Sequence, residues 1–297
     1  MTGGGSMVQG TVIKAYSSYY YVQTGNKVTM CTLRGRFKKE RFSLLVGDTV
    51  DYVSSVVGKG VIETILPRRT MLRRPMVANV DQVAITFAAT RPDISTILLD
   101  RFLVLTEISQ LAPAILINKM DLADVEQINA LATIYRRIGY QVILLSVRTG
   151  SGLQELRELL QDRITVFSGP SGVGKSTILN AVEPGLSLVT GDISDKIGRG
   201  KHTTRHAQLL ALTGGGFVVD TPGLGFTEFA DIEDPELMHC FPEIAAVAVN
   251  CRFSTCLHRK EPQCAVKQAV AEGVITGERY VSYLDILTEL TTNKKGF

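Results

Sequence analysis

The chain has 297 residues, 45% of them hydrophobic and 21% charged, with a formal net charge of +3. That is the composition of a soluble globular protein with room for two or three domains and a sizeable core. No uninterrupted apolar stretch approaches the ~18 residues that span a bilayer, so a cytoplasmic protein with no membrane partner is expected, and an odd count of five cysteines argues against a disulfide framework.

The charge is unevenly placed. Residues 1–79 hold 12 Lys and Arg against 4 Asp and Glu, while the remainder holds 20 against 25. Met1 to Ser6, "MTGGGS", reads as a leader ahead of a start at Met7. From there to Pro67 the pattern is five short β-type segments, "TVIKAY", "YYYVQT", "KVTMCTL", "DTVDYVSSV" and "GVIETIL", separated by glycines and charged turns. Five strands without a long helical pattern predict a small barrel of the oligonucleotide-binding kind over residues 7–67. Tyr16, Tyr19, Tyr20, Tyr21, Phe37 and Phe42 lie among Lys14, Lys27, Arg34, Arg36, Lys38, Lys39 and Arg41, a mixture suited to stacking on bases and contacting phosphates.

Residues 68–79 read as a linker, after which the texture changes. "VDQVAITFA", "APAILINK", "YQVILLS" and "RITVFSG" read as strands, and they alternate with helical patterns in "STILLDRFLVLTEISQ", "VEQINALATIYRRIG" and "GLQELRELLQ". Such alternation predicts a parallel, doubly wound sheet over residues 80–232.

Five short runs in that region carry chemistry. "GPSGVGKS", Gly169 to Ser176, fits the phosphate-loop pattern between an apolar strand and a helix. Its candidate phosphate contacts are Gly169, Pro170, Ser171, Gly172, Val173, Gly174, Lys175, Ser176 and Thr177. Backbone N–H groups curl around a phosphate, Lys175 reaches the β and γ positions, and Ser176 ligates Mg²⁺. "NKMD", at a strand end, selects guanine: Asp121 accepts the ring N1–H and the exocyclic amine that adenine lacks, Asn118 braces the loop, and the Lys119 stem covers the ring. Ser146 and Val147, in "LLSVR", stand where backbone N–H groups reach the guanine O6. "DTPG" follows a third apolar strand, placing Asp220 to hold Mg²⁺ through water and the Gly223 N–H to sense the γ-phosphate. "GRGKHTT" supplies Thr203 or Thr204 to complete the Mg²⁺ shell.

Small GTPases run phosphate loop, effector threonine, D-x-x-G, N-K-x-D, base-bracing serine. Here the last two come first and cyclic order is preserved, which predicts a circularly permuted GTPase. Leu224 occupies the place where many GTPases carry a water-orienting glutamine. That leaves His202, next to the effector threonines, as the candidate catalytic residue.

Near the end, Cys251, Cys256, His258 and Cys264 form C-x₄-C-x-H-x₅-C, four soft ligands for tetrahedral Zn²⁺. With all four positions protein-supplied, the zinc is expected to be structural. Cys31 and Cys240 read as packing residues. "GERYVSYLDILTELT" predicts an amphipathic closing helix with Tyr280, Tyr283, Leu284 and Leu287 on one face of a zinc-binding module over residues 233–297.

The order of these motifs, together with the basic barrel and the cysteine–histidine cluster, resembles the RsgA family of small-subunit biogenesis GTPases over nearly the whole chain. The resemblance implies a multidomain fold: an OB-like β-barrel, a circularly permuted α/β P-loop GTPase and a small α-helical zinc-binding domain. It further implies GTP hydrolysis with Mg²⁺, His202 in the hydrolytic step, one structural zinc, and binding to the small ribosomal subunit and its rRNA as a late assembly factor. A monomer is expected. "SVR" departs from the commoner S-A-x of the base-bracing loop. Two rival readings remain at this level: a P-loop ATPase or kinase, and a GTP-regulated RNA-binding scaffold in which hydrolysis is incidental.

Overall fold

The computed structural model describes residues 6–35, 44–54, 58–73, 75–186, 207–220 and 233–293. His202, Thr203, Thr204, Gly223 and Leu224 lie outside the described residues, as do Phe37, Phe42, Arg36, Lys38, Lys39 and Arg41.

The amino-terminal part is built from β1 (Met7–Tyr16), β2 (Tyr19–Thr24), β3 (Lys27–Leu33), β4 (Thr49–Ser54) and β5 (Lys59–Ile65). They close into a barrel in the order β1-β2-β3-β5-β4. Period-two alternation sends Val12, Val22, Cys31, Val50, Tyr52 and Ile62 inward, where all are buried, while Lys14, Tyr16 and Tyr19 face water. The buried Asp48 carboxylate receives Arg68 Nε at 2.7 Å and a second guanidinium nitrogen at 2.8 Å, tying the barrel to the chain that leaves it. Residues 68–79 carry a short hairpin of β6 (Met71–Arg73) and β7 (Met76–Ala78).

Beyond the hairpin come β8 (Gln82–Ala88), β9 (Ala112–Asn118), β10 (Gln141–Leu144), β11 (Ile164–Ser168), β12 (Gln208–Ala211) and β13 (Phe217–Asp220). They form one six-stranded sheet in the order β10-β9-β8-β11-β13-β12. Every residue of β8 is buried, the mark of a strand covered on both faces. β12 runs antiparallel to β13 at the sheet edge, a hairpin that the short "QLLA" segment does not announce in sequence.

The described residues fall into two compact units. One takes the barrel, Leu156–Phe167 and the β12–β13 hairpin; the other takes Val83–Glu155, Ser168–Ile178 and the carboxyl-terminal residues from 233 onward. In the second unit, α1 (Thr96–Ile108) starts at Ser95, whose hydroxyl accepts the Leu98 N–H at 3.3 Å, and α2 (Val125–Ile138) starts at Asp124, which accepts the Glu126 and Gln127 N–H groups. Taking the chain as a whole rather than by unit, the further α-helices among the described residues are α3 (Leu153–Leu160), α4 (Lys175–Val182), α5 (Pro242–Ala248), α6 (Ala265–Ala271) and α7 (Gly277–Asn293).

Val104 and Leu105 of α1 share a core with Leu237, Phe241, Ile244, Tyr283, Ile286 and Leu287, so the carboxyl-terminal helices pack into one core with a helix of the nucleotide-binding region. Cys240 is buried in that core and Cys31 in the barrel, both as packing residues. Arg279, 2% exposed, is held there by Asp100 at 2.6 Å and by Glu243 at 2.7 and 3.2 Å, with its guanidinium 4.5 Å from the centre of the Phe241 ring. A guanidinium this deep is tolerated because two carboxylates and an aromatic face replace its water.

Candidate functional site

The nucleotide site gathers at the carboxyl ends of β8 and β9 and at the loop after β11. The Ala89 N–H donates to Asn118 O at 2.7 Å, so the two strand ends lie side by side. Gly169 sits against β8 with φ of 132°; a Cβ there would come within 2.0 Å of Thr86 O, which only glycine avoids. Gly174 has φ of 97°, and a Cβ on it would meet Asn118 Nδ2 at 2.6 Å. Across this contact the Asn118 amide donates to Val173 O at 3.0 Å, and the side chain is 4% exposed. The N-K-x-D residues thus brace the phosphate loop directly.

Lys119 adopts the left-handed region, φ 64°, and sends its Nζ to Gly172 O at 3.0 Å and to Arg91 O. Its stem therefore spans from one loop to the other. Lys175 Nζ donates to Gly169 O at 2.7 Å and Pro170 O at 2.6 Å, inside the loop whose phosphate contacts it is expected to make. Ser176 and Thr177 open α4, so N–H groups of the first turn are available to an anion.

Asp121 accepts a hydrogen bond from Ser146 Oγ at 2.6 Å, and Arg148 lies 3.6 Å from its other oxygen. The Ser146 hydroxyl, with a smaller contribution from Arg148, holds the Asp121 carboxyl below the usual carboxylate range. An ionised acceptor is what a guanine N1–H and amine require. Ser146 Oγ also receives the Thr149 N–H at 3.3 Å, which sets the turn carrying Val147. Asp220 is the last residue of β13, and partial burial raises its carboxyl above the ordinary value.

Sequence reasoning placed Asn118, Lys119, Asp121, Ser146 and the phosphate loop, and the second unit brings these together. It missed Arg148, which falls on the unrestricted position of the S-A-x pattern and whose approach to Asp121 the pattern therefore does not signal. It also missed the carbonyls of Val173, Gly172 and Arg91, for which sequence offers no signal because every residue has one.

The zinc candidates converge as well. Cys251 Sγ lies 3.6 Å from His258 Nδ1 and 3.9 Å from Cys264 Sγ, and Cys264 Sγ lies 3.5 Å from His258 Nδ1. With Cys256 included, all four ligand atoms fall within 4.8 Å of one another. Zinc–sulfur bonds of about 2.3 Å and zinc–nitrogen bonds of about 2.0 Å imply tetrahedral edges of roughly 3.5–3.8 Å, so the donor set and its spacing fit a four-coordinate Zn²⁺. Burial lowers the His258 pKa, keeping the imidazole neutral and able to ligate, and pushes the Cys256 thiol up to about 12. Tyr280 and Tyr283 of α7 donate to the carbonyls of His258 and Leu257 at 2.6 and 3.1 Å, fixing the loop that presents the histidine.

A G-x-x-x-x-G-K-S loop at the end of a sheet strand, joined to an N-K-x-D loop that precedes it in the chain, has the arrangement of a circularly permuted P-loop GTPase. The comparisons agree. The RsgA GTPase model matches residues 65–230 and the RsgA N-terminal domain model matches residues 9–62. The chain belongs to the RsgA GTPase family.

It is 46% identical over 296 residues to the small ribosomal subunit biogenesis GTPase RsgA of Bacillus subtilis, covering 97% of this chain and 99% of that one. It is 43% identical over 288 residues to the protein of the same name from Caldanaerobacter subterraneus subsp. tengcongensis, covering 97% of each. Its fold is similar to that of YloQ, a circularly permuted GTPase, with a TM-score of 0.84 at 41% identity over 99% of this chain and 98% of that one. It is also similar to YjeQ from Thermotoga maritima, with a TM-score of 0.85 at 40% identity over 96% and 99%.

Proposed function

We propose that this chain hydrolyses GTP in the biogenesis of the small ribosomal subunit, binding the subunit and its rRNA as a cytoplasmic monomer. The observation that carries the reading is the bond from Asn118 to Val173, which joins an upstream guanine loop to the phosphate loop of a permuted fold. The near-full-length likeness to proteins named for this role supports the biological setting. Among the described residues, no helix is long and apolar enough to cross a membrane.

In this reading the residues from Gly169 to Thr177, with Gly223, hold the phosphates. Phosphate oxygens are stronger acceptors for the Lys175 ammonium than the two carbonyls it now meets. Asp121 accepts from the guanine edge, Asn118 and Lys119 keep the loop and the ring in place, and Ser146 and Val147 complete the base site. Ser176, Asp220 and Thr203 or Thr204 supply hard oxygen donors suited to Mg²⁺, which neutralises charge on the β and γ phosphates. His202 orients the attacking water in place of a glutamine. Cys251, Cys256, His258 and Cys264 hold a structural zinc that pins the carboxyl-terminal module. The proposed domains are 7–67, 80–232 and 233–297, with 68–79 between the first two.

The segment leaving Asp220 leads in sequence into the zinc module, so the nucleotide state is proposed to set that module's grip on RNA. On the barrel, Tyr16 and Tyr19 are exposed beside Lys14, which supports contact with RNA bases and phosphates. The deciding experiment is GTP turnover with and without purified small subunits, with ATP as competitor. Stimulation by the subunit and indifference to ATP are expected. Equal turnover in both conditions would leave only the scaffold reading.

A further inference from the structure

We infer that Arg148 tunes the base specificity of the nucleotide site: it occupies the second acceptor oxygen of Asp121, so a base with two donors must displace it and a base with one leaves it in place. Asp121 as the base acceptor is the reading on which this rests. The substrate class it adds is the hypoxanthine nucleotide.

A carboxylate offers its two oxygens to two donors side by side. Asp121 Oδ1 takes the Ser146 hydroxyl at 2.6 Å, and Arg148 Nη1 lies 3.6 Å from Oδ2. The Asp121 side chain is 12% exposed and that of Arg148 79%, so an enclosed acceptor is met by a cation reaching in from water. The backbone that carries this cation is held. Ser146 N–H donates to Ser151 O at 3.0 Å, Gly150 N–H to Ser146 O at 2.9 Å and Thr149 N–H to Ser146 Oγ at 3.3 Å, closing residues 146–151 into one turn. The same turn thus addresses Asp121 twice, by a hydroxyl and by a guanidinium. Lys119, the neighbouring cation of the motif, is engaged by the carbonyls of Gly172 and Arg91.

Guanine brings two parallel donors, N1–H and the 2-amino group, and needs both oxygens, so Arg148 has to leave. An ion pair with one exposed partner is worth about 1.5- to 5-fold in an equilibrium constant, and guanine binding is weakened by that factor. Hypoxanthine has the same N1–H but a hydrogen in place of the amine. Its single donor takes one oxygen and Arg148 stays on the other, sparing the enclosed carboxylate an unpaired acceptor that would cost about fivefold or more. Both effects narrow the gap between guanine and hypoxanthine. Adenine gains nothing from Arg148, because its N1 is an acceptor and meets the carboxylate with a lone pair. A site built this way admits inosine nucleotides beside guanosine ones and still rejects adenosine ones.

The test measures the affinities of the full chain for GDP and IDP by calorimetry, in wild type, Arg148→Ala and Arg148→Lys. Attraction of Arg148 for the phosphates is common to both nucleotides and cancels in their ratio. Arg148→Ala should widen the preference for GDP over IDP by about threefold or more, and the widening should shrink in about 1 M KCl as the ion pair is screened. Arg148→Lys, which keeps a charge on the same turn, should recover part of the wild-type ratio. A preference that stays the same or narrows in Arg148→Ala overturns the assignment, and narrowing would mean that Arg148 contacts the bound guanine instead. Asp121→Asn separates this outcome from the reading beneath it. Unchanged GDP affinity in that variant would remove Asp121 as the base acceptor and the role of Arg148 with it, whereas weakened GDP binding beside an unchanged Arg148→Ala ratio removes Arg148 alone.

Discussion

The amide of Asn118 donates to the carbonyl oxygen of Val173 at 3.0 Å, so the N-K-x-D loop is tied directly to the G-x-x-x-x-G-K-S loop. Removing that amide unties both at once. Asn118→Ala should weaken GTP and GDP binding alike by about tenfold, the worth of one buried hydrogen bond plus the unpaired carbonyl left behind. Titration with fluorescent guanine nucleotides measures it. A loss confined to GTP would point instead to a γ-phosphate role.

Asp121 is held ionised first by the Ser146 hydroxyl at 2.6 Å and then by Arg148. Its folded-state pKa is depressed, so the ionised acceptor persists as pH falls below the ordinary aspartate value of about 3.9 and is lost only on passing the lower, folded one. Ser146→Ala should move that midpoint upward, as read from the Asp121 carboxyl carbon resonance, and Arg148→Ala should move it less, because that contact is exposed and longer. Identical midpoints in wild type and Ser146→Ala would remove the hydroxyl from this role.

Asp121→Asn turns half of the guanine acceptor into a donor. Guanine presents two donors to this side chain, whereas xanthine presents an oxygen in place of the amine, so the preference should switch toward xanthine nucleotides. The free energy at stake is that of an unpaired polar group, about 1–3 kcal/mol. Competition between the two nucleotides on one variant decides it.

His202→Ala should keep GTP affinity within about threefold and lose most of the subunit-stimulated turnover, roughly 10²-fold or more if the histidine orients the water. An unchanged turnover number would take His202 out of the mechanism.

The four candidate zinc ligands predict about one zinc per chain in protein purified without chelator. Cys256→Ser should reduce this content and lower the thermal midpoint by about 5 °C or more, because the same core receives Cys256, Cys264, Tyr283 and α1 residues. Arg279→Ala should be at least as damaging, costing about 3–5 kcal/mol, since it strands the buried Asp100 and its partner Glu243. Thermal unfolding of Cys256→Ser gives the first number and urea unfolding of Arg279→Ala the second.

The five barrel segments, the strand-helix alternation and the closing helix are legible in the chain itself, because they follow from periodicities of two and 3.6 residues, which are local properties. The β12–β13 hairpin is not legible there, because a four-residue strand at a sheet edge has too few residues to set a period. The β6–β7 hairpin hides within a stretch that reads as a linker, where arginines and prolines outweigh three-residue strands.

The sequence by itself determined the nucleotide class and the permuted order and showed a candidate zinc donor set, because each motif is a short contiguous run and the order of the runs is read directly along the chain. Tertiary structure alone decided which distant groups meet: Asn118 with Val173, 55 positions on, and Arg279 with Asp100, 179 positions back. Such pairings depend on how whole elements pack, and no local pattern encodes which carbonyl or carboxylate a folded core will bring to a given side chain.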